Sequence, residues 1–242
     1  YGDHRDLHNG RHSFPTRRLP ISSLVEVCIV LVCWSVGGGV GTTVVVAGLA
    51  CAAARSGRSA LVVDLGGDQP ALFDVPEPAG PGLAEWLRAA PDVPYEALGH
   101  LELSLGGGVD LIPRGAGPLR GSRMPALAEG LAVDDRHVVV DAGTTLPGSA
   151  MNELGAAADR SLLVVRACPL ALRRVEHLAV APSGIVVVRD RRRPVTWQEV
   201  ASAVGAPVVA EPEVDPAVAT AVDAGLQRRP LPRRYLRALE RL

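Results

Sequence analysis

Ser35 to Thr43 read Ser-Val-Gly-Gly-Gly-Val-Gly-Thr-Thr, set between the apolar run Val25 to Cys33 and an alanine-rich helical pattern, Thr42 to Ser56, that Gly57 closes. A glycine run between a strand and a helix lets backbone N–H groups converge on an anion, and the helix that follows adds its positive N-terminal end. Strand, loop and helix stand here in the order that phosphate binding requires. The loop nevertheless carries no cation. The chain has no lysine, so all 25 of its basic residues are arginine. A composition rich in Ala, Arg, Gly and Pro accounts for the absence of lysine without restoring the missing charge.

At 242 residues and 48% hydrophobic content the chain can bury a full core, and one α/β domain over 23–242 is expected. Aromatic residues make up only 3%, so Val, Leu and Ala must fill that core. A formal net charge of -1 argues against a globally basic nucleic-acid binder while leaving room for a local patch. Cys28, Cys33, Cys51 and Cys168 show neither CxxC nor interleaved histidine spacing, which reads as reduced buried thiols rather than a metal site.

Residues 1–22 are rich in His, Arg and Asp without an apolar period and read as a disordered or non-native leader. Ser13 to Arg18 resembles a translated adaptor sequence, so the native start is expected later. A secretion signal is the alternative, with Arg17 and Arg18 ahead of Leu24 to Trp34, but Glu26 interrupts the run and no small-residue cleavage site follows. The expected location is the cytoplasm.

Beyond the leader, short Val/Leu runs alternate with helical patterns, the rhythm of a mostly parallel central sheet with helices on both faces. Strands are expected at Val25 to Cys33, Ala60 to Leu65, His137 to Val140, Ser161 to Val165, Ile185 to Val188 and Pro207 to Ala210. Two of them deliver a carboxylate, Asp64 and Asp141, at the carboxyl edge, where open α/β sheets place their ligands.

From about Val25 to Leu242 the residues resemble the MinD/ParA-type deviant Walker A P-loop ATPases, whose loop is typically GKGGVGKTT. Aligned on it, Gly38, Gly39, Val40, Gly41 and Thr43 keep the pattern. Val36 replaces a glycine, while Gly37 and Thr42 replace the two lysines. The resemblance implies ATP held by Gly38, Gly39, Val40, Gly41, Thr42 and Thr43, and Mg2+ held by Thr43, Asp64 and Asp141. Val62 to Pro70 is similar to the family's first switch, with Gly66 where a second aspartate is usual. Asp68 could orient the attacking water if the loop takes another path; a turn residue is the equal alternative. Val138 to Gly143 resembles the Walker B and second-switch segment, where Asp141 would reach magnesium through water and could otherwise cap a turn. Leu162 to Arg174 resembles the strand-to-helix unit that follows, and Glu211 to Val218, with Ala221 and Gly225, resembles the C-terminal IPxD element near the base. The base-reading Asn is replaced by Arg189-Asp190.

A cation about 4 Å from a phosphate oxygen contributes on the order of 4 kcal/mol at an effective dielectric near 20, roughly a thousandfold in rate if felt only in the transition state. Weak or lost hydrolysis is therefore expected, with phosphate still able to sit on the glycine amides. Arg114, Arg120, Arg123 and Arg166 are candidates by position to supply the charge, from elsewhere in the chain or from a second subunit, each with a solvated surface role as the alternative.

Arg191 to Arg193 could touch DNA phosphates or simply form an exposed turn. Arg228 to Leu242 places Leu236, Leu239 and Leu242 at helical spacing, which suits either packing on the body or a membrane-surface helix such as MinD proteins carry. A protein partner or homodimer is also implied. The resemblance leaves two functional classes: an active ATPase using an arginine in place of lysine, and a pseudo-ATPase. The second resembles CpaE/TadZ-like proteins that position pili or secretion machinery, as relatives position chromosomes or the division septum.

Overall fold

The structure, a computed structural model, describes residues 29–76, 78–119, 123–144, 154–155, 158–176, 178 and 180–242. The leader, Cys28 and Arg120 lie outside them. Eight strands form one sheet in the order β3-β4-β2-β5-β1-β6-β7-β8. They are β1 (Val30–Ser35), β2 (Ala60–Asp64), β3 (Leu103–Ser104), β4 (Val109–Ile112), β5 (His137–Thr144), β6 (Arg160–Arg166), β7 (Gly184–Val188) and β8 (Val208–Ala210). All pairings are parallel except β3 with β4. The expected mostly parallel sheet is what the chain folds into.

The strands are continuous apolar runs because both faces of the sheet are covered. Along β1, Leu31 and Cys33 point into one hydrophobic layer. Val30, Val32 and Trp34 point into the other. Of the expected first strand, Val25 to Cys28 lie outside the described residues; the described strand covers Val30 to Ser35, past the expected end at Cys33 and directly into the glycine loop. There Trp34 Nε1 donates to Ser161 Oγ at 2.8 Å, tying β1 to β6. Strands β3 and β4 were not expected, since each is short and Gly106, Gly107 and Gly108 separate them in left-handed conformations.

The helices are α1 (Thr42–Arg55), α2 (Gln69–Phe73), α3 (Leu83–Arg88), α4 (Met124–Ala132), α5 (Pro169–Val175), α6 (Trp197–Val204), α7 (Pro216–Ala224) and α8 (Arg233–Leu239). The C-terminal α8 lies on α1 at Gly48, where an added Cβ would stand 2.6 Å from Leu239 Cδ1 and 3.0 Å from Tyr235 Cε1. Leu236 and Leu239 are buried, and Leu242 packs against the same layer. The periodic leucines of this segment face the body, which leaves no apolar stripe on α8 for a bilayer. No helix among the described residues is long and apolar enough to cross a membrane.

Candidate functional site

The loop from Val36 to Gly41 bridges the end of β1 and the start of α1. Gly39 (φ 72°) and Gly41 (φ 98°) occupy the left-handed region, which an L side chain enters only with strain. Gly41 serves as the N-cap of α1 and offers no side-chain oxygen, so the first amides of the helix are not capped from that position. The buried Ser35 hydroxyl lies 3.1 Å from the Gly37 carbonyl and 3.2 Å from the Gly143 carbonyl, pinning the loop to the end of β5. Thr42 is only 7% exposed, and its hydroxyl has no hydrogen-bond partner.

Asp64 ends β2 and stands directly opposite Asp141, which lies within β5 because that strand runs past its expected end at Val140 to Thr144. Both carboxylates are fully buried. Asp64 accepts from the Gly67 and Gln69 amides at 2.6 and 3.1 Å. Asp141 accepts from the Gln69 side-chain amide at 2.9 Å, from the Gly143 amide at 3.0 Å and from the Thr43 hydroxyl. Gln69 also donates to the Thr43 carbonyl at 3.2 Å. Burial pushes the Asp64 carboxyl up to about 7, opposed by the Gly67 amide and reinforced by the negative Asp141. Burial raises Asp141 as well, despite its bonds to Gln69, Gly143 and Thr43.

The loop opens onto a cleft of about 640 Å3, whose walls include Ser35, Gly38 to Thr43, Gly66, Asp68, Arg114 and Ala142 to Thr144. Its size falls in the range of ligand sites, roughly 300–1,000 Å3. All six residues expected to hold nucleotide line it. Asp64 and Asp141 lie just behind that wall, linked to Thr43 through Gln69 and Asp141. No cluster of three or more His, Cys, Asp or Glu residues forms a metal site by itself among the described residues. A magnesium site in this setting needs no such cluster, because hydroxyl, carboxylate, water and phosphate oxygens share the coordination. Two desolvated carboxylates with raised proton affinity, beside a hydroxyl, are a donor set that suits a hard divalent cation.

Asp68 is exposed at the rim, with its carbonyl accepting from Leu72 at the start of α2. Of the candidate arginines, Arg114 alone reaches the cleft wall among the described residues. Arg123 does not: it is buried under Trp86, 3.7 Å from the ring centroid, and donates to the carbonyls of Trp86 and Val93. Arg166 ends β6 with its Nε unpartnered, away from the cleft wall. Arg174 of α5, which carried no expectation, sits in the space a side chain at Gly37 would enter. Gln69 and Ser35 were likewise passed over, although both stand within the motif segments.

Solved structures resemble this architecture closely. The septum site-determining protein MinD from Pyrococcus horikoshii, solved with Mg-ADP, has a TM-score of 0.70 at 19% identity over 88% of this chain and 93% of that one. The ParA family ATPase from Chlorobium tepidum gives 0.68 at 18% identity over 88% and 97%. The chain has the MinD/ParA P-loop fold. The same architecture extends to the kinase domain of the Escherichia coli tyrosine kinase ETK, with a TM-score of 0.54 at 27% identity over 70% of each chain. No family model matches the chain, and no curated protein does. A MinD/ParA fold thus hosts more than one chemistry, and function has to be argued from the cleft.

The far side of the cleft departs from the expected pattern. The IPxD-like element does not line it. Asp215 instead caps α7, accepting from the Ala217 amide at 2.7 Å, and pairs with Arg234. Arg189 forms a bridge with Glu213 and exchanges backbone hydrogen bonds of 2.9 and 2.8 Å with Pro212 and Val214. Arg191, Arg192 and Arg193 are each paired with Glu213 or Asp190, so their charge is partly neutralised locally. Cys33, Cys51 and Cys168 are free; burial pushes the Cys33 thiol up and the Cys51 thiol up to about 11, as befits inert packing groups.

Proposed function

We propose that this chain is a nucleotide-dependent positioning protein of the MinD/ParA kind in which ATP hydrolysis is weak or lost. The observation that carries the reading is the pairing of a glycine amide loop and two buried carboxylates behind it with glycine and threonine where two lysines are expected. The loop amides and the N-terminus of α1 would hold the phosphates. Thr43, Asp64 and Asp141 would hold Mg2+, directly or through water, and the ion would offset phosphate charge when bound.

Hydrolysis needs more than binding. Gly66 brings no carboxylate to the first switch, and a side chain there would begin 3.4 Å from the Asp141 carboxylate. Asp68 is the one carboxylate among the described cleft-lining residues, and it stands exposed at the rim rather than clamped toward a reacting atom. With no fixed base for water and no loop lysine, the site favours holding a nucleotide over cleaving it. In this reading nucleotide occupancy acts as a state signal, read by a second copy of the chain or by a protein partner in the cytoplasm. The cargo class is the positioning of a septum, chromosome or pilus apparatus.

Calorimetry with Mg-ATP combined with a phosphate-release assay tests the proposal. Expected are micromolar or weaker binding and no turnover above background; sub-micromolar binding with steady turnover would overturn the pseudo-ATPase reading.

A further inference from the structure

We propose that Arg114 supplies the positive charge that the phosphate loop lacks, gripping the polyphosphate of a nucleotide from the opposite wall of the cleft. The proposal rests on the nucleotide reading above and names the residue that makes it electrostatically workable.

The root of Arg114 is fixed. It follows β4, and the carbonyls of Pro113 and Arg114 accept the Leu83 and Ala84 amides at the start of α3, at 2.9 and 2.8 Å. Gly82 and Gly115 let these two backbones touch, since a Cβ on Gly82 would stand 2.8 Å from the Arg114 carbonyl carbon. The side chain then passes over Gly67, where an added Cβ would lie 3.2 Å from Arg114 Cδ. Its Nη1 donates to the carbonyls of Leu65 and Gly66 at 3.0 and 3.2 Å.

The nature of those partners matters. An arginine paired with a carboxylate has its charge cancelled, whereas one held by two neutral carbonyls keeps a full positive charge for a ligand. Arg114 makes no ion pair with the described residues, Asp68 included, and among those lining the cleft it is the one basic side chain. The loop has an unsatisfied group of its own. Thr42 lines the same cleft, is 7% exposed, and its buried hydroxyl is left without a partner, which costs free energy.

Because Arg114 is anchored before any ligand arrives, it stabilises bound nucleotide and transition state alike, which raises affinity without raising turnover. This fits a site that holds ATP and hardly hydrolyses it. The other route to a surrogate charge, Arg174 beside Gly37, lies outside the cleft wall.

The test is calorimetric titration of the full chain with Mg-ATP, Mg-ADP and AMP, for the wild type, Arg114→Ala, Arg114→Gln and Arg114→Lys, with thermal melting run on each. Arg114→Ala and Arg114→Gln are expected to weaken Mg-ATP by about tenfold to a hundredfold, as for loss of a charged hydrogen bond. The loss should shrink for Mg-ADP and vanish for AMP, with Arg114→Lys in between. Arg114→Gln keeps an N–H donor for the switch carbonyls, so it serves if the alanine variant melts early. Equal losses for ATP and AMP would overturn the proposal by exposing a structural role. Wild-type affinity in both neutral variants would overturn it too while leaving the nucleotide reading intact. A wild type that binds none of the three ligands would remove both.

Discussion

The loop that lines the cleft and the carboxylates buried behind it solve opposite electrostatic problems. At paired positions of β2 and β5, Asp64 and Asp141 are buried together, held by Gln69 and by backbone amides, at a desolvation cost visible in their raised proton affinity. On the loop side, from Val36 to Thr43, there is no charged group, only amides, two left-handed glycines, the Thr43 hydroxyl and the stranded hydroxyl of Thr42. A wall of buried carboxylates is unfavourable unless a cation joins it, whereas a wall of amides is stable empty and merely weak toward phosphate. Capacity for a metal and grip on phosphate are therefore separable properties in this molecule.

The most direct way to break the contrast is to put charge back into the loop. Thr42→Lys is expected to raise affinity for Mg-ATP, or its turnover, by up to about a thousandfold. Phosphate-release kinetics would read the second effect, and no change in either quantity would show that the loop's missing charge is not what limits the site.

The carboxylate wall responds to pH with a definite sign. Asp64 titrates near 7 in the folded protein against 3.8 for the free side chain. Between those values the folded state binds more protons than the unfolded one, so stability falls as pH rises through that window. Asp64→Asn removes the Asp64 share of this slope, leaving that of Asp141, and should raise Tm at pH 8 by about 5 °C. Thermal melts from pH 4 to 8 check it, and saturating Mg2+ should flatten the slope of the wild type more than that of the variant.

Gln69 sharpens the comparison because it belongs to the carboxylate wall yet also holds the Thr43 carbonyl at 3.2 Å. Gln69→Ala should cost about 1–3 kcal/mol in urea unfolding, the penalty of unpaired buried groups. The smallest expected change in stability is on the loop side. Gly41→Ala forces a Cβ into a residue at φ 98° and should cost about 1–2 kcal/mol, with any nucleotide affinity falling further than stability does.

Much of the fold could be read from residues. The buried parallel strands are unbroken Val/Leu runs, and the turn from β1 into α1 is written in consecutive glycines. What failed is instructive in particular ways. β3 and β4 are too short for a period to show, and the glycines between them read as loop. Cys33 looked like a strand end, but β1 continues to Ser35 because Trp34 and Ser35 find partners on β6 and β5. Arg114 and Arg123 were equivalent candidates in the sequence; one lies along the cleft and the other stacks under Trp86, a difference that side-chain neighbours far along the chain impose. The helical leucines of α8 suited a bilayer or a core equally well until Gly48 on α1 provided the groove.

The sequence by itself determined the phosphate-loop architecture, the two strand-borne carboxylates and the absence of lysine, because each is local and needs only spacing to be seen. Tertiary structure decided which distant groups share the cleft. Parallel pairing of β5 with β1 and β2 sets Asp141 beside Asp64, and the path of the chain after β4 lays Arg114 over Gly66 and Gly67. Charge acts through space rather than along the chain, so only the folded arrangement could show which positive group lines the cleft of the lysine-free loop.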